Sequence, residues 1–414
     1  MKQNHVIVVG GGAAGLMAAA AAAEAGAHTE LYEKNEKCGK KIYITGKGRC
    51  NLTNRCDRDT FLSQVCSNPR FLYSSLEKWN CEDMIRFLEE NGTRTKTERG
   101  DRVFPVSDHA SDVTAALLRY LDRLQVKIRL NCEVKSLLID EAGTVRGILL
   151  ADGTKIAADR VIVCTGGLSY PTTGSTGDGY RFARQAGLKL IPPVPSLVPV
   201  ETEGTDAQQL QGLSLRNVSV MVRDGKKVIF EEFGEMMFTH FGVSGPLILS
   251  ASTKICRLLP EKKLKLVINL KPALDETQLD ARFLREFTSA PNRKISNVLQ
   301  EVYPARMIPI ILRRCGIDPE KPARDITKAE RRALVEETRS FAFDIRSLRG
   351  FNEAVITSGG VSVKEIRPDT MECRKVSGLY FAGEVLDVDA RTGGFNLQIA
   401  WSTGYAAGAA AGSS

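Results

Sequence analysis

Apolar and polar positions alternate along this chain in blocks whose period changes, and the changes mark out its elements. Residues 6–9 read VIVV, a β-branched run; an Ala-rich helical stretch follows, then a second strand-like run that closes on Glu33. Residues 69–92 and 109–125 carry helical spacing, with Phe71, Leu72, Leu76, Met84, Ile85 and Leu88 as the apolar stripe of the first. Ser107 and Asp108 stand where they can cap the second. Between 132 and 164 the period is two across CEVKSLLID, VRGILLADG and KIAADRVIVC, which predicts an antiparallel meander feeding a last buried strand. STGDGYRFARQAG then opens another helix, ended by glycine.

Four prolines within 192–199 mark a domain boundary. From 197 to about 271, short runs and turns predict a small β-rich domain, barrel or sandwich. From about 274 to 345 the spacing is helical, with Thr327 and Glu330 forming a capping box. The last segment returns to the Gly-rich style of the N-terminus. The expected fold class is α/β: a discontinuous Rossmann-like domain (1–190 and 346–414), an inserted β-rich domain (191–273) and a helical subdomain (274–345).

The first strand ends in Gly10-x-Gly12-x-x-Gly15. Gly10 permits the tight turn, Gly12 lets backbone approach a pyrophosphate, and Gly15 lets the helix lie close on the sheet. The helix N-terminus offers free N–H groups and positive partial charge to phosphate. Glu33, at the end of the second strand, is placed to accept hydrogen bonds from an adenosine ribose and would repel a 2′-phosphate. The pattern predicts dinucleotide binding.

Composition adds little that is unusual. Hydrophobic residues make up 43% and charged residues 26% of 414, ordinary for a globular chain of two or three domains. No basic n-region precedes a long apolar stretch, and the Ala-rich helix is too mild to span a bilayer, so a cytoplasmic protein without a membrane partner is expected. Ten cysteines occur with no C-x-x-C, so neither a metal site nor a disulfide framework is expected. Of the net charge of +8, +5 falls within 280–349, where 15 Lys and Arg face 10 Asp and Glu. A solvated helical surface accounts for that better than a nucleic-acid footprint.

Three further segments suit the same ligand. VIVCTGG ends in Thr165, Gly166 and Gly167, where backbone can come close to a cofactor. GLYFAGE ends in Gly383 and Glu384, and a carboxylate at a strand's C-terminal edge can bind sugar-alcohol hydroxyls. ARTGGFNLQIAW opens a helix at Thr392, Gly393 and Gly394, whose dipole would favour the negative charge of a reduced flavin. Non-covalent FAD is the natural occupant.

At family level the sequence resembles the flavoprotein oxidoreductases of the bile-acid-inducible (BaiN) and aminoacetone-oxidase type, nearly end to end. The resemblance is carried by TGKGRCNLTN (45–54), DRVFPVSDHASDV (101–113), TGGLSYPTTGSTGDGY (165–180), FTHFGVSGP (238–246) and GLYFAGEVLDVDARTGGFNLQIAWSTG (378–404). The TGG…TGDG and GLYFAGE segments also look like those of fumarate reductase flavin domains. The resemblance implies FAD held by Gly10, Gly12, Ala14, Gly15, Glu33, Lys34, Arg49, Asn51, Val134 (through its backbone), Gly166, Glu384, Asn396 and Leu397. Lys47 departs from the Gly-Gly-Gly more usual in that loop; it either contacts phosphate or is solvated.

For catalysis the candidates are His240, as acid or base, Arg391, as a contact for an anionic substrate or the flavin, and Cys50, as a thiol near the flavin with Arg49 lowering its pKa. Each has a plain alternative: a turn histidine, an ordinary loop arginine and a structural cysteine. His109 reads as a capping residue, and Tyr170 as either a flavin-face or a packing residue. No second GxGxxG appears, so NAD(P)H, if it is the donor, docks transiently. The function expected is hydride transfer between flavin N5 and a small organic substrate, NAD(P)H-linked. A flavin-dependent RNA-modifying enzyme and a non-catalytic redox sensor are the alternatives.

Overall fold

The computed structural model describes residues 3–413, and the chain divides into two compact units, 1–196 with 350–414, and 197–349. The first unit is built on a five-stranded parallel sheet of β1 (His5–Val9), β2 (His28–Tyr32), β3 (Lys127–Arg129), β4 (Arg160–Val163) and β5 (Leu379–Phe381), ordered 5-4-1-2-3. All four pairings are parallel. Helix α1 (Ala13–Glu24) makes the crossover between β1 and β2. The short helix α2 (Lys40–Ile44) follows β2, and α3 (Asp178–Gln185) follows β4. The central strands β1 and β4 are β-branched and buried on both faces, as a sheet covered by helices requires, while the edge strand β3 is largely exposed.

The chain's last helix, α4 (Phe395–Gly412), lies along α1. Its contact is a stripe of glycines one turn apart. A Cβ on Gly404, Gly408 or Gly412 would stand 2.4, 2.2 or 2.6 Å from the carbonyl oxygens of Ala14, Ala18 and Ala22. Small residues on both helices therefore let the two backbones touch. The meander of 132–157 forms a three-stranded antiparallel sheet, and residues 160–163 join the parallel sheet as β4.

Two local expectations are corrected. The helix over 69–92 is broken at Trp79–Asn80, because Asn80 accepts from the N–H groups of Glu82 and Asp83 and starts a new helix, Cys81–Glu90, with Asp83 completing a capping box. The helix Ala110–Arg123 is capped by neither Ser107 nor Asp108; His109 is its N-cap without a side-chain bond. The prolines at 192, 193 and 195 sit in a strand, Leu190–Ser196, which pairs with Ile356–Val361 across a bulge that relieves the missing donors.

The second unit is a closed six-stranded barrel, with strand order 200–202, 242–244, 227–239, 214–224, 265–269 and 341–348. The helices Glu276–Ser289, Ile308–Cys315 and Lys328–Arg339 pack into the same core, through Phe283, Ile311 and Leu334. Thr327 and Glu330 form the capping box expected of them. Among the described residues no helix is long and apolar enough to cross a membrane.

Candidate functional site

Strand polarity gathers the glycine clusters at one edge. The turn 10–12, the segment 165–169 and residues 383–384 each follow the C-terminal end of a parallel strand (β1, β4 and β5), where open α/β sheets place their ligands. At the turn, Gly10 has φ +101° and a Cβ there would strike the Cys164 carbonyl oxygen at 2.6 Å; one on Gly15 would strike that of Gly10 at 1.8 Å. A Cβ on Gly12 would meet nothing within 4 Å. Gly10 and Gly15 thus serve packing, while Gly12 opens on empty space over the first turn of α1, beside Ala14. The N–H groups of that turn have no acceptor within the helix. This is the cradle a pyrophosphate fits.

Glu33 is buried just beyond β2. Its Oε2 accepts from the Gly11 N–H (2.7 Å), and its Oε1 from the backbone and side-chain N–H groups of Asn35 (2.8 and 2.6 Å). A carboxylate offers about four acceptor positions, so one stays available for a ribose hydroxyl. Lys34 next to it donates to Thr176 and Asp178 (2.6 and 2.7 Å), joining this loop to the start of α3.

Glu384 is more tightly held than the sequence indicates. Its Oε2 accepts from Lys41 Nζ (2.6 Å), and its Oε1 from Ser169 Oγ (2.6 Å) and the Thr357 N–H (2.9 Å). Lys41 also donates to Ser169, and Thr357 Oγ1 accepts from the N–H groups of Leu168 and Ser169 (2.8 and 3.1 Å). A Cβ on Gly167 would collide with Thr357 and Glu384. The carboxylate is thus mostly satisfied by the protein, and Lys41 is a cation at the cofactor edge that sequence reasoning missed. Two hydroxyls nearby have no partner: Thr165 Oγ1, and the phenol of Tyr180, which burial and the charges of Glu384 and Asp387 push up. Polar atoms orphaned in this way, one just past the end of β4 and one in the first turn of α3, fit a site for a ligand or water.

Gly394 (φ +99°) begins α4, and a Cβ there would lie 2.3 Å from the Thr53 carbonyl. Asn51, with its amide oxygen turned to the Gly394 N–H (3.0 Å), ties the 45–54 loop to this helix start. The Asn396 side chain is spent on the preceding loop, accepting from the Ala390 N–H (2.9 Å) and donating to its carbonyl (2.8 Å). The N–H groups of Asn396 and Leu397 are therefore what this turn offers a ligand. Arg391 sits in that loop, partly exposed, its N–H bonded to the Gln64 carbonyl. Val134 begins the meander, buried.

Other candidates stand differently from expectation. Arg49 lies over the Phe104 ring (4.2 Å) and is paired with Asp108 (2.7 Å) and Glu98, so a phosphate contact would have to break both pairs. Cys50 is wholly buried, and burial pushes its thiol up to about 12. Arg49 is turned to acids and only a hydrogen bond with Thr45 opposes the burial, so the thiol stays protonated and the reactive role is not met. Lys47 is exposed with φ +59°, a left-handed conformation that ordinarily favours glycine. His240 belongs to the barrel unit, exposed beside Phe241 with its ring edge-on. All ten cysteines are free.

Comparison with known proteins agrees with this fold. A family model described as the HI0933-like protein Rossmann domain matches residues 4–410. The chain is 34% identical over 391 residues to a 3-dehydro-bile acid delta(4,6)-reductase of Clostridium scindens, covering 94% of each chain. It is 32% identical over 386 residues to a ribosomal RNA dihydrouridine synthase of Escherichia coli strain K12, covering 92% of each. Among solved structures, a flavocytochrome c3 fumarate reductase superposes with a TM-score of 0.54 at 16% identity, over 99% of this chain and 78% of that one, a likeness of fold.

Proposed function

The chain belongs to the HI0933-like Rossmann family, and on that premise we propose that it is an FAD-dependent reductase of a carbon–carbon double bond conjugated to a carbonyl. The observation that carries the reading is the convergence of three strand ends, two open helix N-termini and a buried carboxylate, Glu33, on one edge of the sheet. FAD, when bound there, supplies hydride chemistry, recharged by NAD(P)H. The chain's part is to hold it: Gly12 and Ala14 at the pyrophosphate, Glu33 at the ribose, and Lys41 with Glu384 at the far strand end.

The substrate class follows from what two relatives' names share. A 3-dehydro-bile acid with 4,6 unsaturation carries double bonds conjugated to its 3-ketone, and dihydrouridine is uridine saturated at the bond conjugated to its 4-carbonyl. Both reductions add hydride to an electron-poor carbon of a double bond conjugated to a carbonyl, β to it or, along a dienone, δ, and a proton to a carbon nearer the carbonyl. In this reading a small enone is the substrate.

A second reading puts the same chemistry on a uracil base in RNA. It is favoured by the name of the Escherichia coli relative and by the charge excess in 280–349, where Arg285, Arg324 and Arg332 are exposed. Much of that charge is balanced, as in Arg313 and Arg314 with Asp206 and Arg331 with Asp280. The test is anaerobic incubation of the FAD-loaded protein and NAD(P)H with a 3-oxo-4,6-diene steroid or with ribosomal RNA. Loss of the diene absorbance supports the small-molecule reading, and RNA gaining two hydrogens per modified uridine supports the second. Saturation of neither would sink both.

A further inference from the structure

At the opposite end of the sheet from the glycine turn, β1 and β2 begin with histidines. The register pairs His5 with His28, and Glu30, two residues along β2, shares their face. We propose that His5, His28 and Glu30 form a binding site for one divalent ion of the zinc class. The inference is independent of the flavin chemistry, because these residues lie at the strand starts and the cofactor edge at the strand ends.

Two imidazoles and a carboxylate are the donor set of such ions. The three donor atoms lie within 4.8 Å of one another. Around a tetrahedral ion with bonds of about 2.1 Å, donors stand about 3.4 Å apart. His28 Nε2 and Glu30 Oε1 are already 3.4 Å apart, so the remaining closure falls on His5. The His5 Nε2 is buried and makes no hydrogen bond, an unfavourable state that a metal bond would relieve. The rings of His5 and His28 lie side by side, centroids 5.0 Å apart, which brings their nitrogens to one place.

The surroundings orient the carboxylate. Tyr32 donates to Glu30 Oε2 (2.8 Å), leaving Oε1 turned toward His28, an outer hydrogen bond of the kind that positions metal ligands. Burial opposes ionisation of Glu30, but Tyr32, Arg129 and both histidines outweigh it and keep the carboxyl below its ordinary value. Two cations compete with the ion: Arg129 stands 3.7 Å from Oε2 and Lys127 4.0 Å from Oε1. Both side chains are about half exposed and free to turn outward, so they weaken the site without closing it. A bound ion would tie the first two strands together, a structural role. Local spacing hides the site, because 22 residues separate the histidines and only strand register joins them.

The test uses the full chain with FAD bound, stripped of metal and titrated with Zn2+ against a chromophoric chelator, with metal per chain counted by mass spectrometry. Wild type should take up one ion more than His28→Gln or Glu30→Gln, each of which should bind at least about tenfold more weakly. Lys127→Met, lacking a competing charge, should bind more tightly. Zinc bound by cysteines contributes equally to all four proteins and cancels. FAD content reports folding, and Zn2+ should raise the melting temperature of wild type but not of His28→Gln. Equal uptake by wild type and both ligand variants, or no uptake, would overturn the site and leave an ordinary histidine–glutamate ion pair.

Discussion

Glu33 joins two structural duties to one of recognition. It holds the Gly11 N–H and the Asn35 turn, and it has one acceptor position left for a ribose. Glu33→Ala should therefore loosen FAD by about tenfold or more, the worth of a charged hydrogen bond, and also leave a buried N–H unpaired at about 1–3 kcal/mol. Retention of FAD through gel filtration, with melting followed in parallel, checks both effects; unchanged retention would remove the ribose assignment. Lys41→Met should lower FAD content as well, with partial rescue by Lys41→Arg, since Glu384 would lose its cation. These two residues also show what a sequence discloses. The glycine fingerprint and Glu33 are legible because their chemistry is local: a turn, a helix start and the end of the next strand. The Lys41–Glu384 pair is not, because 343 positions separate its members and only the fold brings them together. Arg49 and Cys50 misled for the related reason that adjacency in sequence does not fix where a guanidinium points.

Among elements, the pairing of α1 with α4 is the most demanding. Glycines at 404, 408 and 412 are conspicuous in the sequence, but only the fold shows that they face the carbonyls of Ala14, Ala18 and Ala22. Gly408→Ala would gain helix propensity of roughly 1 kcal/mol, but it would place a methyl 2.2 Å from a carbonyl oxygen. Overpacking of that kind costs about 1–3 kcal/mol, so the variant should unfold at lower urea concentration than wild type. An unchanged midpoint would mean that the helices separate easily. Strand and helix types were readable wherever the period was sustained, as in the 132–157 meander and the 328–339 helix. They failed where one side chain overrode the period: Asn80 breaks a helix that the apolar stripe runs through, and a bulge admits prolines to a strand.

For the whole molecule, the α/β class and the Rossmann core were legible from both chain ends, and the choice between barrel and sandwich was not. Closure depends on the strand 341–348, which returns after three helices to pair with 200–202 and 265–269. Glu201 sits at that closure. Hydrogen bonds from Arg349, Ser347 and Arg346 hold its carboxyl down at about 2, against an ordinary 4.5. A depressed folded value means that the stability it confers is complete above about pH 4.5 and is lost as pH falls toward 2. Glu201→Gln should melt with a shallower pH dependence than wild type across that window; parallel curves would contradict the linkage. The central claim, a flavin reductase of conjugated bonds, is tested most directly by an anaerobic visible spectrum of the purified protein. Flavin bands should be present, bleach on addition of NADH or NADPH, and return when a conjugated enone or a uridine-containing ribosomal RNA is added. A protein that shows no flavin bands even after reconstitution with FAD would contradict the account.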